Sequence, residues 1–192
     1  MAPILGIYAS QISGHLFAPS GAWDSIATST VGAGGTASVT FSSIPSTYTH
    51  LQIRALGRSS FANTFSSIEI QYNGDTGANY AWHYLKGSGS AASASASTSD
   101  TVMRAIDFVS ASQASGIFSA YVIDILDYAN TSKNTTQRVF GGGDCNGSGG
   151  IDLHSGVWLN TSAVTSIKLA ASNSSNFEQY SSFALYGIKG GN

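Results

Sequence analysis

Polar and apolar residues alternate along most of this chain. In Thr49-His50-Leu51-Gln52-Ile53-Arg54-Ala55 every second residue is apolar, so Leu51, Ile53 and Ala55 share one face and His50, Gln52 and Arg54 the other. A period of two predicts a strand with one buried face. Looser alternation predicts further strands over 37–42, 67–72, 80–85, 102–109, 118–128, 137–140, 151–159, 166–170 and 183–188. Turn residues separate many of them: Ile44-Pro45-Ser46, Asn73-Gly74-Asp75, the glycines at 87 and 89, Asn146-Gly147 and Asn173. Many short strands joined by Gly, Asn and Ser turns, without a helical stripe of useful length, predict an all-β fold. The expected architecture is an antiparallel β-sandwich of jelly-roll type.

Two stretches depart from this pattern. Residues 1–20 are too short for a domain, and Pro19, between Gly14 and Gly21, opposes a helix running into the body. They read as an extended N-terminal arm ahead of a single sandwich domain over 21–192. Its Ile4, Leu5, Ile7, Tyr8, Ile12, Leu16 and Phe17 need cover, either on a neighbouring subunit or, as a first strand, on the chain's own sheet. Residues 87–99, largely alternating Ser and Ala, are low in complexity and offer nothing to anchor in a core, which predicts a mobile, exposed loop.

Composition narrows the function classes. The 192 residues fit one domain of the usual ~100–200. Only 9% are charged, against about 25% ordinarily, while 42% are hydrophobic and 11% aromatic, too many for a disordered chain. Polarity comes from Ser, Thr, Asn and Gly instead, a surface suited to a packed assembly or to life outside a cell. A net charge of −2 argues against a nucleic-acid partner. Cys145 is the single cysteine, so no intramolecular disulfide can form. The first residues lack the basic and apolar regions of a secretory signal, and no run approaches the ~20 apolar residues of a membrane span. Neither export by the signal route nor a membrane partner is expected. Assembly inside a cell followed by lysis is the simplest route outward.

Catalytic signatures are missing. There is no GxSxG elbow, no P-loop and no dinucleotide fingerprint, and Gly141-Gly142-Gly143 runs into Asp144 rather than a helix start. His15, His50, His83 and His154 form no zinc motif; Asp152 and His154 share a strand face but want a third ligand. Asp144, Asn146, Ser148 and Asp152 are the one candidate calcium constellation, alternate oxygen side chains in a Gly-rich loop. The twelfth position is Ser155 where an EF-type loop has Glu, and the alternative is a simple Gly/Asn turn. Asp124 and Asp127, as a glycosidase pair, would point to opposite faces of one strand. No enzyme activity and no cofactor are expected. The N-x-S/T triplets at Asn130, Asn134, Asn146, Asn160 and Asn173 arise readily by chance in such a composition. Aromatics are the better lead: Trp82, Tyr84 and Trp158, with Trp23 and Tyr80, would stack on sugar rings if exposed, and otherwise belong to the core.

Five segments carry a family resemblance: 4–14 (ILGIYASQISG), 42–54 (SSIPSTYTHLQIR), 72–80 (YNGDTGANY), 122–130 (VIDILDYAN) and 181–190 (SSFALYGIKG). Together they resemble a family of tailed-bacteriophage virion structural proteins, of the head-decoration or minor-tail type. The resemblance implies a virion location and a non-enzymatic accessory protein exposed on the particle as a capsid decoration or head fibre, with the 1–20 arm holding it to other capsid or tail proteins. By analogy at the level of the family it also implies a homo-oligomer, a trimer first. The alternative it leaves open is a tail-associated adhesin that binds a host receptor or surface glycan. It supplies no catalytic residues.

Overall fold

A computed structural model describes residues 21–190; the arm residues Ile4, Leu5, Ile7, Tyr8, Ile12, Leu16 and Phe17 lie outside that range. Twelve strands follow one another: β1 (Trp23–Thr30), β2 (Ser38–Phe41), β3 (His50–Gly57), β4 (Phe65–Tyr72), β5 (Tyr80–Gly87), β6 (Ala92–Asp100), β7 (Met103–Val109), β8 (Ser119–Leu126), β9 (Thr135–Asp144), β10 (Gly149–Trp158), β11 (Ile167–Ala171) and β12 (Ser182–Ile188). No helix occurs among the described residues.

Every strand pair is antiparallel. The large sheet runs β1-β12-β3-β8-β9-β10-β5-β6 and the small one β2-β11-β4-β7. Without the β5–β6 and β9–β10 hairpins, the remaining strands form two four-stranded sheets, β1-β12-β3-β8 and β2-β11-β4-β7. The chain crosses between sheets at nearly every step, which is the nested double Greek key of a jelly roll. The β9–β10 hairpin sits inside the large sheet, between β8 and β5, and with the β5–β6 hairpin widens it. The antiparallel sandwich read from alternation is therefore present.

One core fills the space between the sheets. Leu51, Ile53, Ile123, Ile125, Phe183 and Leu185 point inward from the large sheet and meet Ile68, Ile70, Tyr72, Phe108, Ile167 and Leu169 of the small one. In β3 the buried positions include Leu51, Ile53 and Ala55, the face that the alternation selects.

Residues 87–99 are a correction. From Ala92 onward they form β6, paired with β5 from Gly87↔Ala92 to Trp82↔Ser97. The hairpin closes through Ser88 N–H donating to the Ala91 carbonyl at 2.9 Å, with Gly89 at φ +85°. Ser and Ala alternate here with a strand's period, but both are small. The sheet edge offered by β5 supplies the ladder that composition concealed.

Candidate functional site

Parity places the inward and outward residues of the hairpin end of the large sheet. In β10, Asp152, His154, Gly156 and Trp158 face the small sheet, so Ile151 and Leu153 face out. Trp158 fixes this arrangement: it is 1% exposed, packs on Tyr72 and Tyr80, and donates its indole N–H to Asp75 Oδ2 at 2.7 Å. Burial pushes the Asp75 carboxyl up, but donors from Trp158, Asn79 and Gly77 outweigh it and hold the group below its ordinary range. Trp158 and Tyr80 are thus core residues, unavailable for stacking on a sugar. The same aromatic size that made them candidates is what the core uses.

The outer face carries the reverse pattern. Ala94, Leu85, Leu153, Phe140 and Val122 lie directly opposite one another in one row across β6, β5, β10, β9 and β8. Leu85, Leu153 and Phe140 are 54%, 54% and 50% exposed, and Ile151 beside them 57%. A concavity of about 690 Å³ adjoins the row, lined by Gly87, Ala120, Gly142, Ser148 and Ile151 among others. Gly142 admits no side chain: its φ is +142°, and a Cβ would meet the Gly150 carbonyl oxygen at 2.0 Å. One row further along, the face turns polar, with His83, Ser155, Arg138, Asp124 and Gln52 opposed in turn. Gln52 donates to Asp124 there at 2.7 Å. Contiguous exposed apolar surface of this kind marks contact sites on soluble proteins.

Strand β6 is the free edge at this end. From Ala92 to Ser99 it carries no charged residue and no Pro to oppose pairing with another strand; its one charge, Asp100, lies at the far end. On its inner side, Ser93, Ser95 and Ser97 stand opposite Lys86, Tyr84 and Trp82. Trp82 and Tyr84 are part-exposed and stacked, with ring centroids 5.9 Å apart and planes at 16°. Trp82 donates to Asp100 Oδ2 at 3.0 Å. Tyr84 lies over His154, 5.6 Å between centroids. Burial holds the His154 imidazole down to about 4, so it is neutral at physiological pH. Trp23, at the opposite edge of the sheet, is 45% exposed against Tyr186 and Arg54.

The calcium constellation divides. Asp144 Oδ1 accepts the Asn146 N–H at 2.9 Å and Cys145 N–H donates to the Ser148 carbonyl at 2.8 Å, closing the β9–β10 turn. Asp152 lies in the interior beyond it, 1% exposed on the inner face. Among the described residues no cluster of three or more His, Cys, Asp or Glu side chains could hold a metal ion, and Asp144, Asn146 and Ser148 belong to a turn. Asp124 holds Gln52 on the outer face. Asp127 lies just past β8 at φ +49° and pairs with His50 and Lys133. Each of the two carboxylates has its own structural partner.

Leu85, Phe140, Ile151 and Leu153 escaped sequence reasoning. A signal existed: Ile151 and Leu153 have the opposite parity to Trp158 in one strand, so both sets cannot enter the same core. No family model, curated protein or solved structure matches this chain.

Proposed function

We propose that this protein is a non-enzymatic accessory structural protein of a bacteriophage virion, which assembles with further copies of itself and is held to the particle by residues 1–20. The observation that carries the reading is the outward row Leu85-Leu153-Phe140 with Ile151. Four large apolar residues, each at least half exposed and adjacent, sit beside a β6 edge that is uncharged from Ala92 to Ser99. Water disfavours that arrangement, and a partner that covers it gains roughly 25 cal/mol for each Å² of apolar area removed. A second copy fits the chemistry, since the polar row next to the patch carries both Arg138 and Asp124 and so repels neither sign. The low charge of the whole chain suits dense packing.

Analytical ultracentrifugation of the full chain tests this, with cryo-electron microscopy of particles to place it. An oligomer in the wild type, a trimer in the first instance, that dissociates in Leu153→Asp/Phe140→Asp is the expected result. A wild-type monomer at high concentration overturns the self-assembly. Particles without density for this chain overturn the virion setting.

A second reading rests on the stacked Trp82–Tyr84 pair beside the β6 serines, an aromatic platform with hydroxyls alongside that suits a sugar ring. It makes the protein a glycan-binding adhesin. Binding on a glycan array that is lost in Trp82→Ala supports it, and silence of the assembled oligomer across the array removes it.

A further inference from the structure

Next to Tyr84 along the inner face of β5, three acidic or basic side chains from three strands meet between the sheets: Lys86 of β5, Asp107 of β7 and Asp152 of β10. Lys86 Nζ is 2.6 Å from Asp107 Oδ1. The Asp107 side chain is 7% exposed and that of Lys86 24%, and Asp152 is 1% exposed. The two carboxyls lie within hydrogen-bonding reach of each other, yet Asp107 Oδ2 and both Asp152 oxygens have no donor. Buried oxygens without donors are costly, and a proton held between the two acids satisfies one oxygen of each.

Local structure is adapted to this meeting. The β4–β7 register shifts at Ser66/Ile68, leaving a bulge in β7, and Asp107 takes φ +56° there. Asp107 and Phe108 are consecutive and both buried, which regular alternation forbids and the bulge allows. Across the gap stands Gly150, where a Cβ would lie 2.0 Å from Asp107 Oδ2 and 3.3 Å from Lys86 Cε. Only glycine leaves room. The Phe65 ring lies 5.8 Å from Lys86 Nζ, and the Tyr121 hydroxyl is engaged with the Ile106 carbonyl, which walls the group with aromatic rings.

We propose that Lys86 and Asp107 join in an intramolecular amide bond that staples the two sheets covalently, with Asp152 as the proton carrier. The ammonium first passes one proton to the Asp107 carboxylate across the 2.6 Å Nζ–Oδ1 contact, which leaves an amine and a carboxylic acid to react. Lys86 Nζ then forms a bond to Asp107 Cγ, and Asp152 gives its proton to the carbonyl oxygen as that oxygen takes up the electron pair. The nitrogen returns a proton to Asp152. The Cγ–OH bond breaks, the hydroxyl leaves with a proton as water, and the amide remains. Protons balance, Asp152 ends as it began, and no oxidant or activated co-reactant is needed. Burial, followed by the Asp107 charge, pushes the Asp152 carboxyl up to about 7, which supplies the acid form the carrier needs. Proximity supplies the remainder: both reacting groups are held in contact by the fold before reaction. In a chain with one cysteine, this is a covalent link between sheets that needs no disulfide.

Intact-mass spectrometry of the purified full chain, followed by tandem sequencing of a digest, tests the bond. The expected wild type is lighter than its sequence by one water and yields a branched peptide joining positions 86 and 107. Lys86→Arg keeps the charge, cannot form the bond, and retains full mass, as does Asp152→Asn. A wild type of unreduced mass overturns the proposal, and so does a water loss that persists in Lys86→Arg or maps elsewhere. Bond formation at the wild-type rate in Asp152→Asn overturns the carrier role. The wild-type branched peptide is decisive even where a variant fails to fold.

Discussion

The centre of the large sheet and its hairpin end are built on opposite plans. In β3 and β8, Leu51, Ile53, Ile123 and Ile125 point inward and are fully buried, while the outer positions Gln52, Arg54 and Asp124 are polar. In β5 and β10 the inward positions hold Lys86, Tyr84, Asp152 and His154, and the outward ones Leu85, Ile151 and Leu153. Both regions alternate with period two, so alternation alone does not say which set is inside. At the centre the apolar set has the small sheet to pack on. At the hairpin end the inner side is held by the Trp158–Asp75 anchor and by ion pairing, which turns the aliphatic set toward solvent and makes it a surface for contact.

Breaking the anchor gives the largest effect. Trp158→Ala removes a buried indole and leaves Asp75 without its shortest donor, and a loss of about 3–5 kcal/mol is expected in urea unfolding. Leu153→Ala, five positions earlier and facing outward, is expected to stay within about 0.5 kcal/mol for the monomer. An equal loss for both would abolish the contrast. Next is Gly141→Ala, whose Cβ would lie 2.3 Å from the Tyr121 ring and 2.4 Å from the Ala120 carbonyl oxygen. Overpacking at that crossing costs about 1–3 kcal/mol, read as a lowered urea midpoint.

The titrating groups of the hairpin end sharpen the comparison further, best in a Lys86→Arg background that keeps the charge and cannot be acylated. Asp152 is raised from 3.8 to about 7 by burial and then by Asp107, so between those values the native state binds the extra proton and stability falls as pH rises. His154 is lowered from 6.5 to about 4 by burial, so there the unfolded state binds the extra proton and stability rises with pH. The two slopes, each at most about 1.4 kcal/mol per pH unit, oppose one another from about 4 to 6.5. A nearly flat profile is expected. His154→Gln should reveal the fall and Asp152→Asn the rise, and unfolding curves across that pH range would expose any other order. The smallest effect belongs to the β9–β10 turn: Asp144→Asn should change stability by less than about 0.5 kcal/mol, equally with and without added calcium. A melting temperature that rises with calcium in the wild type alone would restore the cation reading.

Much of the frame is legible in the chain. The pattern His50 to Ala55 marks β3 and its buried face, and the turns at Asn73-Gly74 and Asn146-Gly147 mark strand ends, because period and turn chemistry act over a few residues. β6 was not legible, since Ser and Ala form a strand only when a neighbour offers its edge. Trp82, Tyr84 and Trp158 look alike in sequence, but β5 lies partly beyond the cover of β7, while Trp158 sits over Tyr72. The group of Lys86, Asp107 and Asp152 left no local trace, for its members are separated along the chain and meet only through the bulge in β7 and the space at Gly150.

By itself, then, the sequence determined an all-β chain of short antiparallel strands, its turns, its low charge and its lack of disulfides, all properties of local pattern and composition. Tertiary structure alone decided the strand order, the hairpin between β8 and β5, which alternating set faces water, and which acids meet in the interior. Those outcomes depend on which strands become neighbours, and in an antiparallel sandwich a neighbour can lie anywhere along the chain.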